Sequence, residues 1–158
     1  MTEVSRRTRW LTDTEMLAWR SYIVSTLKLR QRLHRELTDQ HDVSLTDYEV
    51  LVCLSQAEEG SMRMTELAQL LGSTKSRLSH QVARMEEAGY LRRGKDLRDR
   101  RGVTAELTQQ GERLLERSAP THVEGVREHF VDLLTTEEQL LVGEVFSRVL
   151  AHLTELED

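Results

Sequence analysis

Residues 64–107 read MTELAQLLGSTKSRLSHQVARMEEAGYLRRGKDLRDRRGVTAEL, and this stretch decides the fold. Its spacing predicts a short helix over 65–71, a tight turn at Gly72, Ser73 and Thr74, and a longer helix over 75–88 stopped by Gly89. Two short strand-like segments follow, on either side of a loop dense in Arg and Asp. In the second of them Val103, Ala105 and Leu107 alternate with Thr104 and Glu106, as a half-buried strand requires. Helix, turn, helix and a β-ribbon with a basic tip make the layout of a winged helix-turn-helix. Such a unit can set a helix in the DNA major groove and an arginine-bearing loop in the minor groove beside it.

Charge is distributed to match. The chain has 22 Lys and Arg against 27 Asp and Glu, a net charge of −5. Between residues 75 and 101 the balance reverses, with nine basic and four acidic residues for +5, leaving −10 elsewhere. Most charge runs are solvated helix faces. Here the run coincides with the helix-turn-helix pattern, so it reads as a local footprint for phosphates on an acidic body.

Within the longer helix Leu78, Val82 and Met85 recur at i, i+4 and i+7 and mark the core face. Lys75, Ser76, Arg77, Ser79 and His80 are thereby turned outward in the first turn and a half, the part of a recognition helix that reaches base edges. Arg77 suits a two-pronged contact with guanine O6 and N7. The serines allow close approach, and His80 can donate to a phosphate or base. In the wing, Arg101 is the residue expected in the minor groove, with Arg98 and Arg100 on phosphates, because a guanidinium is planar and weakly hydrated. Asp99 is expected to orient the loop by pairing with one of these arginines. The bland alternative is a surface salt-bridge cluster worth ~1 kcal/mol or less per pair.

Working outward, residues 13–40 carry two i,i+4 rows, Trp19-Ile23-Leu27 and Leu29-Leu33-Leu37, on one long helix. Thr46 to Glu49 reads as a capping box, with Leu45 and Val50 as its hydrophobic staple, opening a helix whose buried part is 50–54. Residues 58–61 read as a loop. After the wing, Thr108 caps a long helix with Leu115, Ala119, Val123, Val126, Phe130 and Leu133 as a seam, which Pro120 is expected to kink or break. Thr136 to Gln139 reads as a further capping box before a last helix with Leu141, Val145, Val149 and Leu153 on one face. The wide apolar faces of the terminal helices exceed what the compact central unit can cover. They are expected to pack together and against a second copy, which supplies the twofold symmetry for a palindrome.

The predicted fold class is mainly α with a small β-ribbon wing. A winged helix-turn-helix DNA-binding domain spans 45–108, and 10–44 with 109–156 form a helical dimerisation region. One proline and 4% aromatic residues suit long amphipathic helices better than a β-sandwich. No apolar run reaches the ~20 residues of a membrane span, and no apolar stretch follows Arg6, Arg7 and Arg9 as in a signal peptide, so the expected location is cytoplasmic. A single cysteine, Cys53, excludes an intrachain disulfide framework; set among Val50, Leu51, Val52 and Leu54, it is expected to pack as a small hydrophobe. His122 and His129 are two helical turns apart, roughly 10 Å, too far to share one zinc ion without other ligands. No catalytic triad order, phosphate-cradling glycine loop or His-Glu-x-x-His motif is present. Neither an enzyme activity nor a metal or cofactor is expected.

With these elements placed, the chain resembles the MarR family of bacterial winged helix-turn-helix regulators along essentially its whole length. The most specific match is the wing, Asp96-Leu97-Arg98-Asp99-Arg100-Arg101 followed by Leu107-Thr108-Gln109-Gln110-Gly111. Leu67-Ala68 with Gly72, then Lys75-Ser76-Arg77-Leu78-Ser79, is similar to the family's reading unit. Trp10-Leu11-Thr12 with Glu15 and Trp19-Arg20 resembles the start of the first helix in one subgroup. The resemblance implies a transcriptional regulator, of repressor type, that binds pseudo-palindromic double-stranded DNA as a triangular homodimer. Release by a small aromatic or lipophilic ligand is frequent in the family. Trp19, Tyr22, Lys28 and Tyr48 supply aromatic faces and a cation for such a ligand. The reactive cysteine that peroxide-sensing members carry near the start of the first helix is absent here. The competing reading is a winged-helix protein-interaction module working through its acidic body; the Arg-rich wing and polar first turn argue against it.

Overall fold

A computed structural model describes residues 8–96 and 102–156 of the chain. The element order is α1 (Asp13–His41), α2 (Leu45–Gln56), a 3-10 turn (Glu58–Gly60), β1 (Ser61–Arg63), α3 (Met64–Leu70), α4 (Lys75–Glu87), β2 (Leu91–Lys95), β3 (Val103–Leu107), α5 (Gln109–His129), a second 3-10 turn (Val131–Leu133) and α6 (Thr136–Glu155). The architecture is mainly helical with a small antiparallel sheet in a winged helix-turn-helix arrangement, as the residue pattern predicts.

The sheet has one strand more than the sequence suggests. β3 lies in the centre, paired with β2 from Leu91↔Leu107 to Lys95↔Val103 and with β1 from Ser61↔Glu106 to Arg63↔Thr104. β1 is three residues long, too short for a period of two to stand out, and so Ser61 reads as loop.

Several helix starts are displaced from their expected positions. α2 begins at Leu45, because the Ser44 hydroxyl, and not Thr46, accepts the N–H of the residue three ahead, Asp47, at 3.0 Å. Glu49, expected to close a box on Thr46, instead takes two bonds from Arg30 of α1, at 2.6 and 3.0 Å. α6 is opened by Thr135 with Glu138 in a full capping box, one residue earlier than expected. The Gln139 amide then donates to the carbonyls of Val131 and Leu134. Thr108 does cap α5, accepting from Gly111 N–H at 3.1 Å.

α5 runs through Pro120 without breaking. The carbonyl that the proline leaves unbonded belongs to Glu116, an exposed residue, so the lost bond falls on the solvent side of the helix. The expected seam to Leu133 is cut short instead at Phe130, whose φ of −142° ends the helix before the second 3-10 turn. The buried row of α5 is Gly111, Leu114, Ser118 and Gly125. A Cβ on Gly125 would come within 2.8 Å of Leu33 and 2.4 Å of the Glu36 carboxylate, so α1 and α5 meet there only because the side chain is missing. Small residues carry no hydropathy signal, which is why the neighbouring apolar row reads as the seam.

One core joins the C-terminal part of α1 to the winged unit. Leu37, Val50, Leu51, Leu54, Leu67, Leu78, Val82 and Ala105 are fully buried in it. Each large aliphatic side chain so buried contributes about 1.5–3 kcal/mol. The first half of α1 and all of α6 stand apart, for α6 contains no buried residue. Leu140, Leu141, Phe146, Val149, Leu150 and Leu153 on α6 are exposed, as are Leu17, Trp19, Tyr22 and Leu27 on α1. Among the described residues no helix is long and apolar enough to cross a membrane.

Candidate nucleic-acid interface

α4 is fixed in orientation by its core face. Leu78 and Val82 are fully buried and Met85 is 2% exposed. The turn before α4 is closed by Ser73 N–H bonding the Ala68 carbonyl at 2.9 Å, and Thr74 caps the helix by accepting from Arg77 N–H at 3.2 Å. With that face sealed, Lys75, Ser76, Arg77, Ser79 and His80 are all exposed in the first turn and a half. The structure therefore brings these five residues together on one open surface.

Of the expected wing residues, Arg98, Asp99, Arg100 and Arg101 lie outside the described residues. The base of the wing is described. Asp96 N–H donates to the Gly102 carbonyl at 3.0 Å, and the Asp96 carboxylate pairs with Arg63, the last residue of β1 and the N-cap of α3. The ribbon is thereby tied to the helix-turn-helix as well as to the sheet. Across it, Arg92 pairs with Glu106 at 2.6 Å. Gly94 makes room for this pair, since a Cβ there would sit 2.3 Å from the Glu106 carboxylate.

The basic footprint is smaller than the residue count suggests. Arg93 donates its backbone N–H and its guanidinium to Glu86, at 2.9 and 2.7 Å. The backbone bond, with the side-chain bond adding to it, holds the Glu86 carboxyl below its ordinary range. Arg84 bonds Asp47 of α2 at 3.0 and 3.3 Å, and Gln81 donates to the same carboxylate at 2.9 Å. Among the described residues, Lys75, Arg77 and Lys95 make no ion pair. Asp47 and Gln81 escape sequence reading because their bond spans 34 residues, beyond any helical spacing rule.

The four residues suggested for a ligand do not form one cluster. Trp19 and Tyr22 have ring centroids 6.1 Å apart, and Tyr22 lies 4.9 Å from Phe146 of α6. Phe146 falls outside the Leu141-Val145-Val149-Leu153 row of α6, so periodicity does not single it out. Lys28 is exposed. Tyr48 is buried and faces His122 of α5 at 4.6 Å, and burial pushes its phenol pKa up.

The junction of α1, α2 and α5 is rich in histidine. His129 bonds Glu36 at 2.8 Å and Arg32 bonds the same oxygen at 2.6 Å. Burial pushes the Glu36 carboxyl up, but these bonds outweigh it and the net shift is downward. His41 bonds Thr121 at 2.8 Å. The buried Nδ1 of His122 finds no partner among the described residues, and burial lowers the pKa of the ring, opposed by Glu49. His122 and His129 thus face separate partners. Cys53 is half-buried against the core; burial, with Glu49 adding to it, pushes its thiol up, the direction of an unreactive cysteine.

Comparison with known proteins fits this geometry. A model of the MarR family matches residues 43–103. The crystal structure of AbsC, a MarR family transcriptional regulator from Streptomyces coelicolor, is 42% identical and superposes with a TM-score of 0.87, covering 94% of this chain and 99% of AbsC. Sco3205, a MarR family transcriptional regulator from the same organism whose structure is in complex with DNA, is 42% identical with a TM-score of 0.85, covering 93% of this chain and 91% of that one. The transcriptional regulator HosA of Escherichia coli is 31% identical over 112 residues, 70% of this chain and 82% of HosA.

Proposed function

The chain belongs to the MarR family of transcriptional regulators, and we propose that it represses transcription by binding a pseudo-palindromic DNA operator as a homodimer. The observation that carries this reading is the outer face of α4. Lys75, Ser76, Arg77, Ser79 and His80 are exposed on a helix that Leu78, Val82 and Met85 lock against the core. Arg77 reads a guanine through two bonds, Lys75 neutralises a phosphate, His80 donates to a phosphate or base, and Arg101 enters the adjacent minor groove with Arg98 and Arg100 on phosphates. Asp99 orients that loop. The 42% identity to a regulator crystallised with DNA supports the same partner.

The surface of α6 and the first half of α1 supports dimerisation. A 20-residue helix with no buried residue has a second copy as its natural cover. The two copies of α4 then address successive major grooves, about 34 Å apart. The Trp19–Tyr22–Phe146 cluster lies within this surface, so an aromatic or lipophilic effector bound there shifts the spacing of the two reading helices and releases DNA.

Selection of duplexes from a random pool, followed by titration at several salt concentrations, tests the reading. A twofold-symmetric sequence should emerge, with affinity that falls steeply with salt. Recovery of no preferred sequence would point instead to a winged-helix module that binds proteins.

A further inference from the structure

We infer that Asp47 is a specificity-determining residue of the DNA face, acting by withholding the Arg84 cation from the phosphate backbone. The inference rests on the DNA-binding reading above. Arg77 and Arg84 are seven residues apart on α4, two turns along one face, with roughly 10 Å of rise between them. Both line the same groove of about 420 Å³, together with His80 and Gln81 on α4 and with Thr46 and Glu49 on α2. A helix that presents Arg77 to a base therefore carries Arg84 along the same groove toward the flanking backbone. In the free protein Arg84 is committed elsewhere, bonded to Asp47 at 3.0 and 3.3 Å.

The pair is built to compete rather than to hold the fold. The Arg84 side chain is 64% exposed while Asp47 is 17% exposed, so the cation is open to solvent and the anion is fixed beneath it. Asp47 is placed by its own helix, through Ser44, and is steadied by Gln81 at 2.9 Å. Arg92 and Arg93 are also paired, but with Glu106 and Glu86, which come from the neighbouring strand and from α4 itself. Asp47 alone among these three carboxylates reaches the DNA face from α2. Non-specific affinity scales with the number of phosphates a protein neutralises, whereas base readout does not. Removing one cation from the phosphate count leaves Arg77 untouched and widens the gap between operator and random DNA.

Salt titration of Asp47→Asn against the selected duplex and a scrambled duplex of equal length tests this. Asparagine keeps the shape and the Oδ1 acceptor that Gln81 uses while removing the negative charge that holds Arg84. The variant should steepen the log–log salt slope on scrambled DNA by about 0.9 per subunit and narrow the selected-to-scrambled affinity ratio. In the Asp47→Asn/Arg84→Gln double variant both changes should vanish, and Arg84→Gln alone should keep the wild-type slope. An unchanged slope in Asp47→Asn overturns the inference. Steepening that persists in the double variant also overturns it, since the carboxylate would then act by its own repulsion of DNA. If Asp47→Asn does not fold, Arg84→Gln alone decides: a flattened slope means Arg84 already contacts phosphate. Wild-type protein that binds neither duplex defeats the DNA reading itself, and this inference with it.

Discussion

The winged unit and the terminal helices solve the problem of burial in opposite ways. In the winged unit, α2, α3, α4 and β3 each send side chains into one sealed core, and Leu51, Leu67, Leu78 and Ala105 have no exposed surface at all. α6 also carries large apolar side chains, yet Leu140 and Leu150 are each about two-thirds exposed. The reading surface is rigid because its own chain completes it. The terminal surface is left uncovered in one copy, and in the proposed dimer what covers it sets the spacing of the two copies of α4.

The largest effect that separates the two regions concerns assembly. Leu141→Glu combined with Val149→Glu should reduce the mass in light scattering from twice 18.3 kDa to that of one chain, with the helical circular dichroism retained. A doubly substituted chain that remains dimeric would place the interface elsewhere.

Next in size is a substitution on the sealed side. Leu51→Ala should cost about 2–5 kcal/mol in urea unfolding, because it leaves a cavity that rigid neighbours cannot fill. Leu150→Ala should cost far less at protein concentrations that favour monomer. Equal costs would mean that the two regions do not differ in packing.

The smallest effect is on pH dependence, at the junction between the regions. Burial lowers the pKa of His122 below its ordinary 6.5. The unfolded chain therefore takes up that proton first as pH falls. The contribution of a neutral His122 is fully present above about 6.5 and is lost as pH drops through the lower folded value. Urea midpoints for His122→Phe should consequently vary less between about pH 7.5 and 5.5 than those of the wild type. Parallel pH profiles would mean that the ring gains a proton as readily folded as unfolded.

Periodicity alone makes the central unit legible in the sequence. Leu78, Val82 and Met85 define both the buried face of α4 and, by subtraction, its open one. Capping was legible to within a residue or two, and the errors have a common cause. Ser44 and Thr135 compete with Thr46 and Thr136 for the same helix starts, and adjacent hydroxyls cannot be ranked without knowing where Glu49 and Gln139 bond. The packing face of α5 was not legible, because Gly111, Ser118 and Gly125 are buried for their smallness. Nor was the pairing of Arg84, Arg92 and Arg93, which shrinks the basic footprint; Asp47 and Glu106 lie 37 and 14 residues from their arginines.

Hydroxyl-radical footprinting of the wild-type protein on its selected duplex tests most directly the claim that rigid winged units read DNA in pairs set by the terminal helices. Two protected centres, one helical turn or about 34 Å apart and symmetric about the midpoint of the site, are the predicted result. A single protected centre, or protection with no symmetry, would contradict it.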